Sequence, residues 1–335
     1  MPASRFRNRL LPRRAGWPAL DLCERARNLC QLQRLLPGKA AAALLLTSLL
    51  LASGCRTSKD AVSAASQMAE TAGALSAYYS SLRTILANTD LVFQINDALY
   101  AKPYSAANRQ LLADAESSLA KRAALASELS AVCGQFSQLT QSTAPGDVAT
   151  AAAKLQTEID GLASVKASSA EQASMKSALQ LLVGAVQSHK ERDAARAMDQ
   201  LFSSLAALFD AESDVWQTRE ELFSRVAGNL AASLVESGSA DNCSLLQQPL
   251  TPFGMSWSCT AETRAKLQSL ELAQLATRQK AFDTSYDKTS TSMSQALREM
   301  PSRIHLLATD KPFAYTRPPL TVANVEQWAA QAAAW

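Results

Sequence analysis

Long helical stripes of apolar residues dominate most of this chain. Between residues 198 and 230, apolar side chains recur every seven positions in two adjacent rows, one of them aromatic. The rows are Leu201, Leu208, Val215 and Leu222, and Phe202, Phe209, Trp216 and Phe223. A two-stranded coiled coil needs only a narrow apolar seam. Two complete rows therefore predict a helix that packs against several partners, as in a helical bundle.

The same periodicity predicts other long helices. A first helix is expected from about Asp60 to Leu99, with a kink or interruption at 88–90. A second follows from Ser105 as N-cap and pairs with the first as an antiparallel hairpin. Strand formers and turn signals are scarce. The predicted fold class is all-α: an elongated antiparallel bundle of long, coiled-coil-like helices with one structured loop.

Turn and cap signals divide the rest of the chain. Residues 144–147, Ala-Pro-Gly-Asp, predict a turn, after which a short helix runs to about Val165 and another begins at Ser168. Gly238 is placed to cap the long helix that contains the two rows. A last long helix is expected over 261–299, ended by Pro301, and a short helix over 322–334.

An apolar run that ends in small residues precedes these helices. Residues 40–55 read AAAALLLTSLLLASGC, which is shorter than the roughly 20 apolar residues that cross a bilayer and typical of a signal-peptide core. The last four, Ala52-Ser53-Gly54-Cys55, resemble the lipobox of bacterial lipoproteins, with Ala where Leu is commoner. The resemblance implies a diacylglyceryl thioether on Cys55, cleavage before it, and an acylated Cys55 as the first mature residue. The alternative is an uncleaved signal anchor.

This leader changes the meaning of the net charge. The whole chain carries +3, but residues 1–54 hold nine Lys and Arg against two acidic residues. The remainder has 24 basic and 28 acidic residues, a net −4, and gives no electrostatic footprint for nucleic acid. We predict four segments: the signal region 1–54, a lipid-anchored tether 55–60, a helical bundle 61–300, and a proline-aromatic tail with a short helix, 301–335.

Three cysteines follow Cys55. Cys243 and Cys259 bracket a loop-like stretch, DNCSLLQQPLTPFGMSWSC, and a disulfide between them is predicted. Closing that loop stabilises the fold by about 3 kcal/mol in a compartment that permits disulfides. Cys133 lies on an apolar helical face and is expected to be a buried free thiol. Because the sequence has no CxxC and no His near these cysteines, no zinc site is predicted.

The sequence carries no recognised signature of catalysis. His189 lies in the charged run SHKERD, which predicts a solvated helical face. Residues 118–121 match S-x-x-K, but the S-D-N and K-T-G partners of that motif are absent. Glu220 and Glu221 predict an exposed helix face rather than an acid/base pair. We therefore predict no catalytic, metal or cofactor site.

A proline-aromatic segment is the main candidate for recognition outside the heptad rows. Residues 313–320 either dock on their own domain or offer a preformed ligand to a groove. The candidate contacts are Phe313, Tyr315, Pro318 and Pro319.

Together these features predict a non-catalytic, lipid-anchored scaffold or adaptor on the extracytoplasmic side of a bacterial cell envelope. Its predicted partners are the membrane, through Cys55, and another envelope protein. In a Gram-negative host, Arg56 after the cysteine resembles the outer-membrane default, on the periplasmic face. Two alternatives stay open: a helical sensor that holds a small apolar ligand beside Phe202, Phe209 and Trp216, and an enzyme with an unrecognised site.

Overall fold

The computed structural model describes residues 39–100, 105–139, 145–165, 168–188, 190–239, 246, 252, 260–308 and 322–333, and of 39–61 it describes the backbone only. Within these ranges the chain forms seven long or short α-helices and no strand. The helices are α1 (Lys39–Tyr100), α2 (Ala106–Leu139), α3 (Pro145–Gly161), α4 (Ser169–Gln187), α5 (Glu191–Glu236), α6 (Ala261–Ala308) and α7 (Val322–Ala333). The prediction of an all-α helical bundle is confirmed.

The chain divides into two compact units, residues 1–59 and 60–335. All side-chain contacts described below lie within the second unit. There α1 and α2 run antiparallel, because Ser76 donates to the carbonyl of Ala123 over 2.8 Å while Ser130 donates back to the carbonyl of Ala69 over 2.7 Å. The hydroxyls thus fix the register of the predicted hairpin.

The helices α5 and α6 form a second antiparallel pair. Ser294 donates to Asp210 over 2.9 Å near one end of the pair, and Ser224 donates to Asp283 over 2.5 Å nearer the other. The α1 helix joins them through a buried hydrogen bond of 3.1 Å from the Tyr78 hydroxyl to that of Tyr286. The shorter helices α3 and α4 follow α2 along the chain. A 3-10 turn, Leu162–Val165, lies between them, and α4 packs on α5.

The aromatic row of α5 is core, as predicted. Phe202, Phe209, Trp216 and Phe223 are all buried. The neighbouring row is broken, because Val215 is 51% exposed. In a straight α-helix, residues seven apart are offset by about 20° around the axis. Over two heptads, one row therefore stays against the partner helices while the other rotates towards solvent.

Two predictions about proline were wrong. Where a turn was expected at 144–147, α3 begins at Pro145. Proline is compatible with this position because backbone N–H groups in the first helical turn have no intrahelical acceptor. Pro301 lies inside α6 instead of ending it. Its neighbours Met300 and Ile304 are buried in the core, and that packing holds the helix together across the lost hydrogen bond.

Two further boundaries differ from expectation. The α1 helix begins at Lys39 rather than Asp60, and it continues through 88–90, where the Thr89 hydroxyl donates to the carbonyl of Ile85 over 2.8 Å. Residues 188 and 190 lie in the break between α4 and α5, where the Lys190 N–H donates to the carbonyl of Ala185 over 2.8 Å. The rest of the charged run, from Glu191, is the first turn of α5, and the Asp193–Arg196 ion pair is exposed there, as expected of a solvated helical face. His189 itself lies outside the described residues.

The predicted caps are confirmed. The Ser105 hydroxyl accepts the N–H of Asn108 over 3.2 Å at the start of α2. At the end of α5, Gly238 takes φ +69°. Its N–H donates to the carbonyl of Val235 over 3.1 Å, and the N–H of Ser239 donates to that of Leu234 over 2.9 Å. These two bonds form a Schellman motif, which needs a left-handed residue at this point.

Candidate functional site

A row of polar side chains lies on the inward face of α5. Glu212, Trp216, Glu220 and Ser224 follow one another at intervals of four residues, which places them on one face of the helix. We call these four residues the polar row. Burying such groups is costly unless each finds a partner, so their partners decide what the row can do.

Arg122 of α2 neutralises one end of the polar row. Its Nε donates to Glu212 Oε2 over 2.5 Å and its Nη2 donates to Oε1, which makes the pair bidentate. Its Nη1 donates to the Ser118 carbonyl over 2.9 Å and to the Ser118 hydroxyl. The guanidinium also lies 5.7 Å from the ring centroid of Trp216, within the range of a cation–π contact. The Ser118 of the S-x-x-K match thus serves a structural hydrogen bond.

Within the described ranges, no ion pair joins Glu220 to a cation. The residue is only 2% exposed, and within the described part of the chain its Oε1 has no hydrogen-bond partner. Burial, together with the negative charges of Asp283, Asp287 and Glu221, raises the pKa of Glu220 to about 8. The prediction of an exposed face was wrong for Glu220 and right for Glu221, because adjacent helical residues point about 100° apart.

Two tyrosines complete the surroundings of Glu220. Burial raises the pKa of Tyr78 to about 12, and burial also raises the pKa of Tyr286 far above its usual value. The ring of Trp328, from α7, stacks on Tyr78 with centroids 5.7 Å apart. Chemically, this arrangement holds a proton on a carboxyl inside an apolar interior. Among the residues described, no group of three His, Cys, Asp or Glu is placed to hold a metal ion.

Two clefts open near the polar row. One, of about 640 Å³ between α5 and α6, is lined mainly by hydroxyls, amides and the ion pair of Asp210 with Arg298. The other, of about 510 Å³, lies beside Trp216 and is lined partly by Arg122, Glu212 and Arg219. The cleft beside Trp216 is therefore partly lined by charged side chains, whereas the alternative of a sensor for a small apolar ligand requires an apolar cavity there.

An exposed apolar stripe lies at the C-terminal end of α1. Leu91, Ile95 and Leu99 share one face at four-residue spacing and are 54%, 38% and 51% exposed. We call these three residues the apolar stripe. The next residue, Tyr100, ties this end of α1 to α5 through a 2.5 Å hydrogen bond to Ser233. Leu99 continues the heptad row of Tyr78, Ile85 and Val92 in the sequence, which favours core, but its 51% exposure places it on the surface.

Most sequence-predicted site residues lie outside what the structure describes. Cys55 falls within the backbone of α1, but its side chain is outside the described part. The remaining predicted positions outside it are Cys243, Cys259, Phe313, Tyr315, Pro318 and Pro319. Cys133 is buried and free as expected, and its burial raises the pKa of the thiol.

In the described ranges, no helix combines the length and apolarity needed to cross a bilayer. No family model, no curated protein and no solved structure matches this chain. The polar row and the apolar stripe were both missed by the sequence analysis, although each shows a four-residue spacing in the sequence.

Proposed function

We propose that this protein is a non-catalytic, lipid-anchored helical scaffold of the bacterial cell envelope, which binds another envelope protein through the apolar stripe. The observation that carries the proposal is the exposure of Leu91, Ile95 and Leu99 on one helix face. Large aliphatic side chains grouped on a surface typically mark interaction sites, and this spacing matches the anchors by which a helix docks into an apolar groove.

The position of the stripe along α1 supports a scaffold. An α-helix rises 1.5 Å per residue, so the stripe lies roughly 45–60 Å along α1 from Asp60. Asp60 follows the proposed lipidation site by only five residues. A helix of this length separates the attachment point of a scaffold from the surface that meets its partner.

The anchor itself rests on the resemblance of Ala52-Ser53-Gly54-Cys55 to a lipobox. Cleavage before Cys55, acylation of its thiol, an extracytoplasmic address and a disulfide between Cys243 and Cys259 belong to the same proposal. An oxidising envelope compartment favours such a disulfide.

The intact mass of the protein from native membranes tests the anchor. We expect an acylated chain that begins at Cys55, and loss of the modification in a Cys55→Ala variant. An unmodified chain that retains residues 1–54 contradicts the anchor and returns nine basic residues to the mature protein.

Site-specific photocrosslinking in intact cells tests the stripe. We expect a defined crosslinked product from a probe at Leu91 and from a probe at Leu99. Replacing the other of these two leucines with Ser should abolish the product. Leu181 on α4 is a matched control because it is also 54% exposed, and no other large hydrophobic residue described on α4 is exposed. Identical products from all three positions, or none from the stripe, contradict this docking surface.

A second candidate function is a helical sensor for a small ligand. The cleft of about 510 Å³ beside Trp216 favours it, because an indole and two arginines, Arg122 and Arg219, line the same opening. Native mass spectrometry of the purified protein tests this function, which requires a co-purifying small molecule that is lost when Trp216 is replaced by Leu.

A further inference from the structure

We infer that Glu220 is a proton-operated latch, which keeps α5 and α6 together when protonated and loosens the adjoining end of the bundle when it ionises. The part that loosens comprises residues 225–236 of α5 and 261–281 of α6, which we call the distal seam. The pH response belongs to the bundle itself, and only its use in controlling the apolar stripe rests on the proposed function.

The first observation is that Glu220 is buried with an unsatisfied oxygen. Only 2% of the residue is exposed, and its Oε1 lacks a hydrogen-bond partner among the described residues. A neutral carboxyl tolerates such a site, whereas a carboxylate there loses its hydration without gaining a cation or donor in return.

The second observation is the sign of the ionisable groups that act on Glu220 within the described residues. The groups that act on Glu220 electrostatically are Tyr78 of α1, Glu221 of α5, and Asp283, Tyr286 and Asp287 of α6. All five are acids. The guanidinium nearest along the polar row, Arg122 of α2, is already bound by Glu212, and α7 contributes the uncharged ring of Trp328.

The third observation is the thin packing of the distal seam. In its α5 part only Leu230 and Val235 are buried, and in its α6 part only Glu271 is. Most residues of α5 between 194 and 209 are buried by contrast. Regions with few buried apolar contacts open locally at low free energy. Charge repulsion at Glu220 therefore acts next to the part of the α5–α6 pair that has few buried residues.

The distal seam is also joined to the proposed docking surface. The hydroxyl of Tyr100, which directly follows the last stripe residue, contacts Ser233 over 2.5 Å. Loosening the seam therefore releases the end of α1 that carries the apolar stripe. In an extracytoplasmic compartment this would couple partner binding to the surrounding pH.

The direction of the effect follows from proton linkage. The pKa of Glu220 is about 8 in the closed bundle, against about 4.3 for a solvated glutamate. Between these values the closed state holds one more proton than the open state, so closure is favoured at low pH and weakens as pH rises to 8. The opening constant grows by up to tenfold per pH unit in this window and levels off above it.

Hydrogen exchange of the full chain, corrected for the intrinsic pH dependence of exchange, measures this opening. We expect protection in the distal seam to fall roughly 10–100-fold between pH 6 and pH 8 in the wild type, while residues 194–209 keep theirs. Glu220→Gln should abolish the fall. Glu221→Gln is the matched control, since Glu221 is the exposed neighbour, and it should leave the fall unchanged.

A wild-type profile without this fall, or a fall that persists in Glu220→Gln, overturns the latch. Should Glu220→Gln not fold, carbon-13 NMR titration of the Glu220 carboxyl in the wild type decides instead: a midpoint near 8 supports the latch and one below 5 refutes it. Hydrogen exchange tests the latch and photocrosslinking tests the docking surface, so a negative result in one experiment does not decide the other. An intact pH profile without stripe adducts leaves the latch standing and removes only the proposed function.

Discussion

Replacing Arg122 with Met tests how the bundle tolerates charge in its core. The Arg122 and Glu212 side chains are 4% and 15% exposed, and Arg122 also donates twice to Ser118. Arg122→Met leaves Glu212 without its cation, and removing one partner of a buried pair costs about 3–5 kcal/mol. We expect this loss in the free energy of unfolding, measured by urea titration of the full chain with circular dichroism.

The double variant Arg122→Met, Glu212→Leu separates lost charge from lost packing. Replacing both members of a buried pair with apolar residues is often near neutral, so we expect the double variant to lie within about 1 kcal/mol of the wild type. As a surface control, Arg83→Met breaks a pair with Glu116 whose side chains are 52% and 43% exposed, and it should cost less than about 1 kcal/mol. A double variant as unstable as Arg122→Met alone would refute the reasoning.

Three more variants and one labelling experiment test other parts of the fold. Phe209→Ala removes a buried ring that contacts Tyr78 and should cost about 3–5 kcal/mol in the same urea assay; a cost below 1 kcal/mol would contradict its place in the core. Gly238→Ala should cost about 1–2 kcal/mol because φ is +69° there, whereas Gly184→Ala, helical with open space for a methyl group, should stabilise by about 0.5–1 kcal/mol. Cys133 is buried with a raised thiol pKa, so mass spectrometry should find it alkylated only after urea unfolding; rapid labelling of the native chain would argue against this burial.

The aromatic row of α5 illustrates what periodicity predicts well. Four large rings at heptad spacing specify a buried face whatever the partner helices are, and all four are buried in the core: Phe202, Phe209, Trp216 and Phe223. Pro301 illustrates the limit. Its effect on a helix depends on the packing around it, and the burial of Met300 and Ile304 outweighed the local preference for a helix end.

Glu220 and Leu99 were misplaced for a shared reason. A residue pattern defines a helix face, but it does not define how far the neighbouring helices extend. Glu220 lies among polar residues in sequence, yet it is buried in the bundle, close enough to Tyr78 of α1 and Tyr286 of α6 to interact with them electrostatically. Leu99 ends the predicted first helix, yet α2 begins only at Ala106 and its first buried residue is Leu112, so α2 leaves the last turns of α1 uncovered.

The hydrogen bond between Tyr78 and Tyr286 joins residues 208 positions apart, and this separation has a consequence for how the bundle is made. A chain that emerges from a ribosome does so from its N-terminus, at about 5–20 residues per second. The inward face of α1 therefore waits roughly 10–40 s before α6 arrives to cover it. During that interval α2, and later α5 through Phe209, can shield only part of this face, so the nascent chain exposes apolar surface to which chaperones that bind unfinished chains can attach.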